Sequence, residues 1–481
     1  MTQRAPHPLT KLTRRMLPFA DAASRDLPIG QLLRLSLFQV SVGLASVMLL
    51  GTLNRVMIVE LSVPAMIVAI MIALPVLIAP FRAFIGFRSD TYRSAIGWKR
   101  VPFIWFGSLW QMGGLAVMPF ALLVLSGDQT VGPSWAGEVL AALAFLMTGL
   151  GLHMTQTAGL ALASDRASEE TRPRVVALLY VMYLLGMGLS ALLIGWLLRD
   201  FTNLTLIRVV QGAALAGLLL NLVALWKQEH MSPMTKVQRS APRPSFAKTW
   251  SAFMAEGTSA RLIFVVFLGT MAFNMQDVLL EPYGGEILGL AVGQTTWLTA
   301  AWAFGALIGL AYAARRLNAG ISSYRLMSNS IFVGLLAFPA VIVSAPIGST
   351  LLFFAGAFLI GLGSGLFAVS TLIAAMMLGE TEHTSHGLAL GAWGASQATS
   401  AGLAIALGGT LRDWINTLAM RGDLGETLAT PATGYSFVYH LEIAVLIVTL
   451  AILVPLVRMA QRTQSKSDHG NSGIKLADFP M

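Results

Sequence analysis

The feature that most constrains this chain is a succession of apolar runs, each roughly 20 residues long, separated by short charged segments. A helix needs about 20 apolar residues to cross a hydrocarbon core of about 30 Å. Within that core the backbone polar groups must be satisfied inside the element, so such runs fold as helices. Twelve are read, at about 33–54, 62–81, 102–125, 138–163, 174–198, 204–226, 261–281, 294–314, 325–344, 350–377, 387–411 and 435–457. The expected fold is all-α, a polytopic membrane protein with twelve transmembrane helices. Composition agrees, with 56% of the 481 residues hydrophobic and 11% charged, where soluble chains carry about 25% charged residues. Pro75, Pro119, Pro339 and Pro455 fall inside runs, which neighbouring helices can accommodate. There is no cysteine, so disulfides, thiolate metal sites and thiol catalysis are excluded.

Charge assigns the sides. Gly86–Arg100, GFRSDTYRSAIGWKR, holds Arg88, Arg93, Lys99 and Arg100 around the single acid Asp90, with Arg82 just upstream. A short basic loop between two spans stays on the cytoplasmic side. With both termini on that side, 27 of the 32 Lys and Arg residues are internal. The five external ones are Arg55, Arg199, Arg208, Arg412 and Arg421. The +9 net charge thus reads as topology and not as nucleic-acid binding. Residues 1–30 are basic and lack the apolar stretch of a signal peptide, so they read as a cytoplasmic arm. Residues 227–260 are basic and rich in Ser and Pro, a linker in composition, with a short surface helix over 246–255. The expected divisions are the arm 1–30, a six-helix half 31–226, the linker 227–260, a second six-helix half 261–458 and a cytoplasmic tail 459–481.

An internal repeat supports two related halves. Leu198-Arg199-Asp200-Phe201 returns as Leu411-Arg412-Asp413-Trp414, 213 positions later, and Gly149-Leu150-Gly151 returns as Gly361-Leu362-Gly363, 212 later. Parallel repeats about an axis normal to the membrane are the arrangement of major facilitator proteins. Gly86-x-x-x-Asp90 followed by Gly97-x-Lys99-Arg100 resembles the loop between spans two and three of that superfamily, with an insertion between its parts. In the second half the matching stretch Gly309 to Arg316 has Ala313 where an acid would fall.

Ionisable groups inside spans are costly and usually functional, and this chain shows few. Span seven ends Asn274-Met275-Gln276-Asp277-Val278-Leu279-Leu280-Glu281. Asn274, Asp277 and Glu281 share one face if the helix persists. Span one ends Asn54-Arg55-Val56, in the equivalent place. Arg55 and Asp277 either meet across the pseudo-twofold axis and close the outer side, or both sit in interfacial water. His153 is mid-span. Its imidazole is either a metal ligand, which includes the magnesium of a chlorin, or a hydrogen-bonded packing group. His383 and His386 read as solvated, and His440 and Glu442 as interfacial. Gly356, Gly361, Gly363 and Gly365 read as close helix packing. The 23 Met and 24 Phe line a greasy groove or serve as core. No P-loop and no His-Glu-x-x-His occurs.

The stretch Asn274-Met275-Gln276-Asp277-Val278-Leu279-Leu280-Glu281-Pro282-Tyr283-Gly284-Gly285-Glu286 resembles a signature of the bacteriochlorophyll delivery (PucC/LhaA) family of the major facilitator superfamily. So do Leu53-Asn54-Arg55-Val56-Met57-Ile58-Val59-Glu60-Leu61, Phe87-Arg88-Ser89-Asp90 and Gly97-Trp98-Lys99-Arg100-Val101-Pro102. The resemblance spans about 27–458, and the arm and tail are more like the LhaA members. It implies an assembly factor for a bacterial light-harvesting antenna, the core antenna by preference. Such a factor hands bacteriochlorophyll to antenna polypeptides or chaperones them. It further implies bacteriochlorophyll and carotenoid as pigments, and the reaction centre, pigment-synthesis enzymes and membrane lipid as further partners. The location implied is the inner (intracytoplasmic) membrane. The expected pigment-site residues are His153, Asn274, Gln276, Asp277 and Glu281; the expected gating or structural residues are Arg55, Asp90, Lys99 and Arg100. A secondary transporter of a tetrapyrrole or other small solute is the alternative. No catalytic set is visible, so the chain reads as no enzyme.

Overall fold

The computed structural model describes residues 22–24, 27–77, 98, 100–125, 133, 135–168, 171–229, 257–378 and 386–469. Among the described residues the chain forms twelve helical segments and one isolated 3-10 turn, Glu426–Leu428. The first six are α1 (Ile29–Glu60), α2 (Ala65–Leu77), α3 (Val101–Leu125), α4 (Ala136–Arg166), α5 (Arg172–Leu197) and α6 (Asn203–Leu225). The second six are α7 (Ser259–Glu286), α8 (Val292–Asn318), α9 (Ser323–Ser344), α10 (Thr350–Leu378), α11 (His386–Met420) and α12 (Ala432–His469). Ten are long and apolar enough to cross a membrane. The other two are α2, apolar but 13 residues long, and α11, 35 residues long.

The segments follow the apolar runs closely, and the differences are informative. Several helices outrun their apolar cores. α11 continues to Met420 and α12 begins at Ala432, so Arg412 and Glu442 lie within helices and not at their ends. α1 changes winding: Val47–Leu53 and Val56–Glu60 are π-helical. Such wide turns recur at functional sites. Ser62, at φ +54°, then turns the chain into α2. α7 breaks at Asn274, passes through a 3-10 turn over Met275–Val278 and resumes at Leu280. Pro282 explains the break. It has no N–H to give the Val278 carbonyl, its i−4 partner, and is tolerated only in the first turn of the renewed helix.

Backbone contact, not side-chain interdigitation, joins several helix pairs. Gly361 and Gly365 on α10 lie against the Trp302 and Ala306 backbone of α8, as expected for small residues at membrane helix contacts. α5 and α8 touch at Gly195 and Gly293, and α11 meets α2 at Gly409, where an added Cβ would stand 2.6 Å from the Ala65 carbonyl oxygen. Both contacts join a first-half helix to a second-half helix.

Candidate functional site

Two features lie between the halves: a polar closure at one end and a cavity toward the other. The closure begins at the broken α7. Because Pro282 leaves the Val278 carbonyl free, Asn54 Nδ2 on α1 donates to it at 2.9 Å. Thr52 and Thr296 hydroxyls face each other at 3.3 Å, joining α1 to α8. Glu281 accepts from Thr299 Oγ1 and packs against Gly51, where only a hydrogen leaves room for its carboxylate. The Arg55 guanidinium pairs with Glu60, donates from Nη2 to the Leu290 carbonyl at 3.1 Å and rests on Gly285. It is also within electrostatic reach of Glu281.

A second knot sits on α11 and α12. Arg412 pairs with Glu286 and with Asp413 at 2.7 Å, donates to Tyr435 Oη at 3.1 Å and lies 4.4 Å from the Tyr435 ring centroid. Tyr435 Oη donates to Glu286 at 2.6 Å. Asp413 Oδ2 reaches across the halves to accept the Met66 backbone N–H at 2.6 Å. That N–H belongs to the first turn of α2, where backbone donors lack intrahelical partners and favour an anion. Behind this knot Tyr283 lies 5.3–5.6 Å from the rings of Phe353, Tyr435 and Tyr439. Trp297 Nε1 of α8 donates to the Leu192 carbonyl of α5 at 3.2 Å, a third crossing.

The cavity holds about 540 Å³, a usual ligand-pocket size. Phe273, Phe367, Trp393 and Tyr180 supply aromatic walls. Gln156, Asn274 and Gln397 supply amides, and no charged side chain is among its described lining residues. It draws on α2, α4, α5, α7, α10 and α11, so both halves form it.

At the opposite end Arg100 pairs with Asp165 at 3.0 Å, while the Arg100 and Val101 backbone N–H groups donate to the Glu229 carboxylate at 3.0–3.2 Å. Arg166 donates to Gln228 at 2.5 Å and to Gln31 at 2.8 Å. This network ties α1, α3 and α4 to the end of α6. Asp90 and Lys99, with most of the loop around them, lie outside the described residues, as do His383, the linker helix over 246–255 and the far termini.

The expected site residues divide. Asn274 lines the cavity and donates to the Thr270 carbonyl at 2.6 Å. Gln276, Asp277 and Glu281 belong to the closure: Gln276 Nε2 donates to Asp277 Oδ1 and, at 3.2 Å, to the Phe273 carbonyl. His153 is half-buried on α4, three and four residues before the cavity-lining Gln156 and Thr157, hence on their face of the helix.

Two expectations are corrected. Arg55 does not meet Asp277. It pairs with Glu60 instead, because the π-wound end of α1 brings that carboxylate to it, and the contact to α7 is made by its neighbour Asn54. Nor are four of the charges at this end wet. Arg55, Glu281, Arg412 and Glu442 are 3%, 3%, 7% and 0% exposed. Glu442, read as interfacial, accepts the Gln276 backbone N–H at 2.7 Å. An apolar run marks where a span is greasy, but not where helices still pack beyond it. The two copies of the Leu-Arg-Asp repeat also part ways: Arg199 is exposed, paired with Asp200 and set over Trp196, whereas Arg412 is buried.

Two bundled sets of helices, crossed by polar contacts at one end and holding a cavity between them, define a multi-pass membrane protein of the major facilitator transporter fold. A bacterial homologue of the human lysosomal transporter Spinster, in an inward-facing and unoccupied conformation, superposes with a TM-score of 0.64 at 15% identity, covering 91% of this chain and 97% of that one. The chain belongs to the PucC family, whose model, described as PUCC protein, matches residues 52–461. It is 62% identical over 464 residues to a Rhodobacter capsulatus protein named "Uncharacterized protein in puhA-bchM intergenic region", covering 96% of this chain and 97% of that one. It is 53% identical over 403 residues to Protein PucC of Rhodovulum sulfidophilum, covering 83% and 88%.

Proposed function

We propose that this protein is an assembly factor for a bacterial light-harvesting antenna, the core antenna by preference. It holds or hands over bacteriochlorophyll, with carotenoid as a second pigment, and chaperones antenna polypeptides in the inner membrane, both termini cytoplasmic. The observation that carries this reading is the cavity: aromatic walls, three amides and no charged side chain among its described lining residues. A flat, greasy ring with a few carbonyl acceptors suits such a lining, whereas a strongly hydrated solute does not. His153 lies on the same face of α4 as two lining residues, within the span that faces the cavity, and a neutral imidazole suits magnesium. The family resemblance points the same way. So does a Rhodobacter capsulatus relative, 27% identical, named "Bacteriochlorophyll synthase 44.5 kDa chain".

Purification from a pigmented phototrophic host tests the proposal. Far-red absorption and co-elution with antenna polypeptides test the function, and pigment loss in His153→Phe tests the ligand. Colourless protein that never co-elutes with antenna chains overturns the function. The second reading, a transporter of a tetrapyrrole or small solute, is favoured by the one-end closure over a cavity, the geometry of alternating access. Substrate-dependent uptake by proteoliposomes without antenna association selects it.

A further inference from the structure

Glu442 and Asp277 are two acids on neighbouring helices, α12 and α7, with no base bonded to either among the described residues. Glu442 is wholly buried, and one of its oxygens, Oε1, takes the Gln276 backbone N–H at 2.7 Å. Its other oxygen, Oε2, has no hydrogen-bond partner among the described residues. Asp277 lies within electrostatic reach of it and is held by the side chain of the same residue, through Gln276 Nε2. Gln276 therefore sits between the two carboxyl groups, backbone on one and side chain on the other. Neither acid forms an ion pair among the described residues, where Arg55 is taken by Glu60 and Arg412 by Glu286 and Asp413.

A second observation is independent of the acids. The Gln276 side-chain oxygen Oε1 belongs to a residue 1% exposed and has no donor. The Tyr439 hydroxyl, fully buried one turn before Glu442 and close enough to interact with it, is also without a partner. The site thus holds two acceptor oxygens without a donor among the described residues, Gln276 Oε1 and Glu442 Oε2, beside a phenol whose hydrogen has no acceptor there. A wholly buried carboxyl with one hydrogen bond and no counter-charge beside it is costly as an anion, and a hydrogen on Glu442 turns it into a donor among unsatisfied acceptors. Beside Asp277, the titratable groups near Glu442 are the phenol Tyr439, with Tyr283 and Tyr435 next to it and Arg412 and Glu286 bonded to Tyr435.

We propose that Glu442, linked to Asp277 through Gln276, is a proton-binding site whose proton sits on the Glu442 carboxyl and whose occupancy Asp277 tunes, a function separate from the pigment reading above. Its place gives it a task. Gln276 is in the 3-10 turn of α7; Phe273 and Asn274 just before it line the cavity, and Val278 just after it is held by Asn54 in the closure. Loading or emptying the site acts on the one segment that touches both.

The test uses the purified full-length chain in nanodiscs, with no pigment needed. Infrared difference spectra between about pH 6 and about pH 9 should show one protonated-carboxyl C=O band that disappears on alkalinisation. Glu442→Gln should remove the band. Asp277→Asn, at a half-buried position better placed to fold, should displace its titration midpoint by about one pH unit, the size of a lost like-charge neighbour. Proton release over the same range, read with a pH-sensitive dye, should be one fewer in the double variant than in the parent chain. No such band, a midpoint unmoved by Asp277→Asn, or a band abolished by sodium at constant pH would each overturn the proposal, the last by assigning the site to a metal cation.

Discussion

Asn54 Nδ2 on α1 donates to the Val278 carbonyl on α7 at 2.9 Å, and the acceptor is available because Pro282 has no N–H to offer it. One imino acid in α7 thus sets up a contact between the two sets of helices. Replacing Asn54 by Ala leaves that carbonyl unpaired in a dry place and should cost about 1 kcal/mol, within the range of interhelical hydrogen bonds in membranes. Pro282→Ala restores a local donor and should make the Asn54 substitution nearly silent. Thermal unfolding of the two single variants and the double variant checks this; additive losses would contradict it.

The two Leu-Arg-Asp copies should respond differently. Arg412→Ala removes a buried guanidinium from the partly exposed Glu286 and frees Asp413 from its place on the α2 N-terminus, a loss of about 2 kcal/mol. Arg199→Ala removes an exposed pair and should change stability by less than about 1 kcal/mol. Denaturation in the same detergent compares them directly.

The closed end can be wedged. A Val at Gly409 would overlap the Ala65 and Ala69 contact with α2. Because the chain has no cysteine, Cys introduced at buried Thr52 is a clean reporter of access to this end. Its reaction with a membrane-impermeant maleimide should quicken about tenfold for each about 1.4 kcal/mol by which the wedge favours the open arrangement. An unchanged rate would mean that the α2–α11 contact does not control the closure.

The cavity walls should govern pigment content. Trp393→Ala and Phe367→Ala remove ring surface from the lining without touching the closure, so the ratio of far-red absorbance to protein should fall in each while the folded yield holds. Leu351→Ala, at an exposed position on α10, is the matched control and should leave the ratio unchanged.

Helix positions were legible because an apolar run of span length has few other folds open to it. Gly361 and Gly365 were likewise readable as packing residues, and they do lie against the α8 backbone. The closure was half-legible: the ends of spans one and seven do meet, but through Asn54 and not Arg55. An arginine is long enough to turn back to Glu60 and Leu290, and only the π winding of α1 decides that it does. Glu442 was not legible at all. A single acid near the start of a hydrophobic run looks interfacial, and only the packing of α7 against α12 buries it. Of the cavity amides Asn274 was legible beside the acids of span seven, whereas Gln156 and Gln397 gave only a faint signal, as lone amides inside apolar spans.

Gly195 and Gly293 bring the α5 and α8 backbones into direct touch. Where two rods meet at glycines with one ring between them, one can roll on the other once the Trp297–Leu192 hydrogen bond gives way. If the two bundles rock, this point serves as a bearing near the closed end, so the widest travel falls at the far end, beside Arg100 and Asp165.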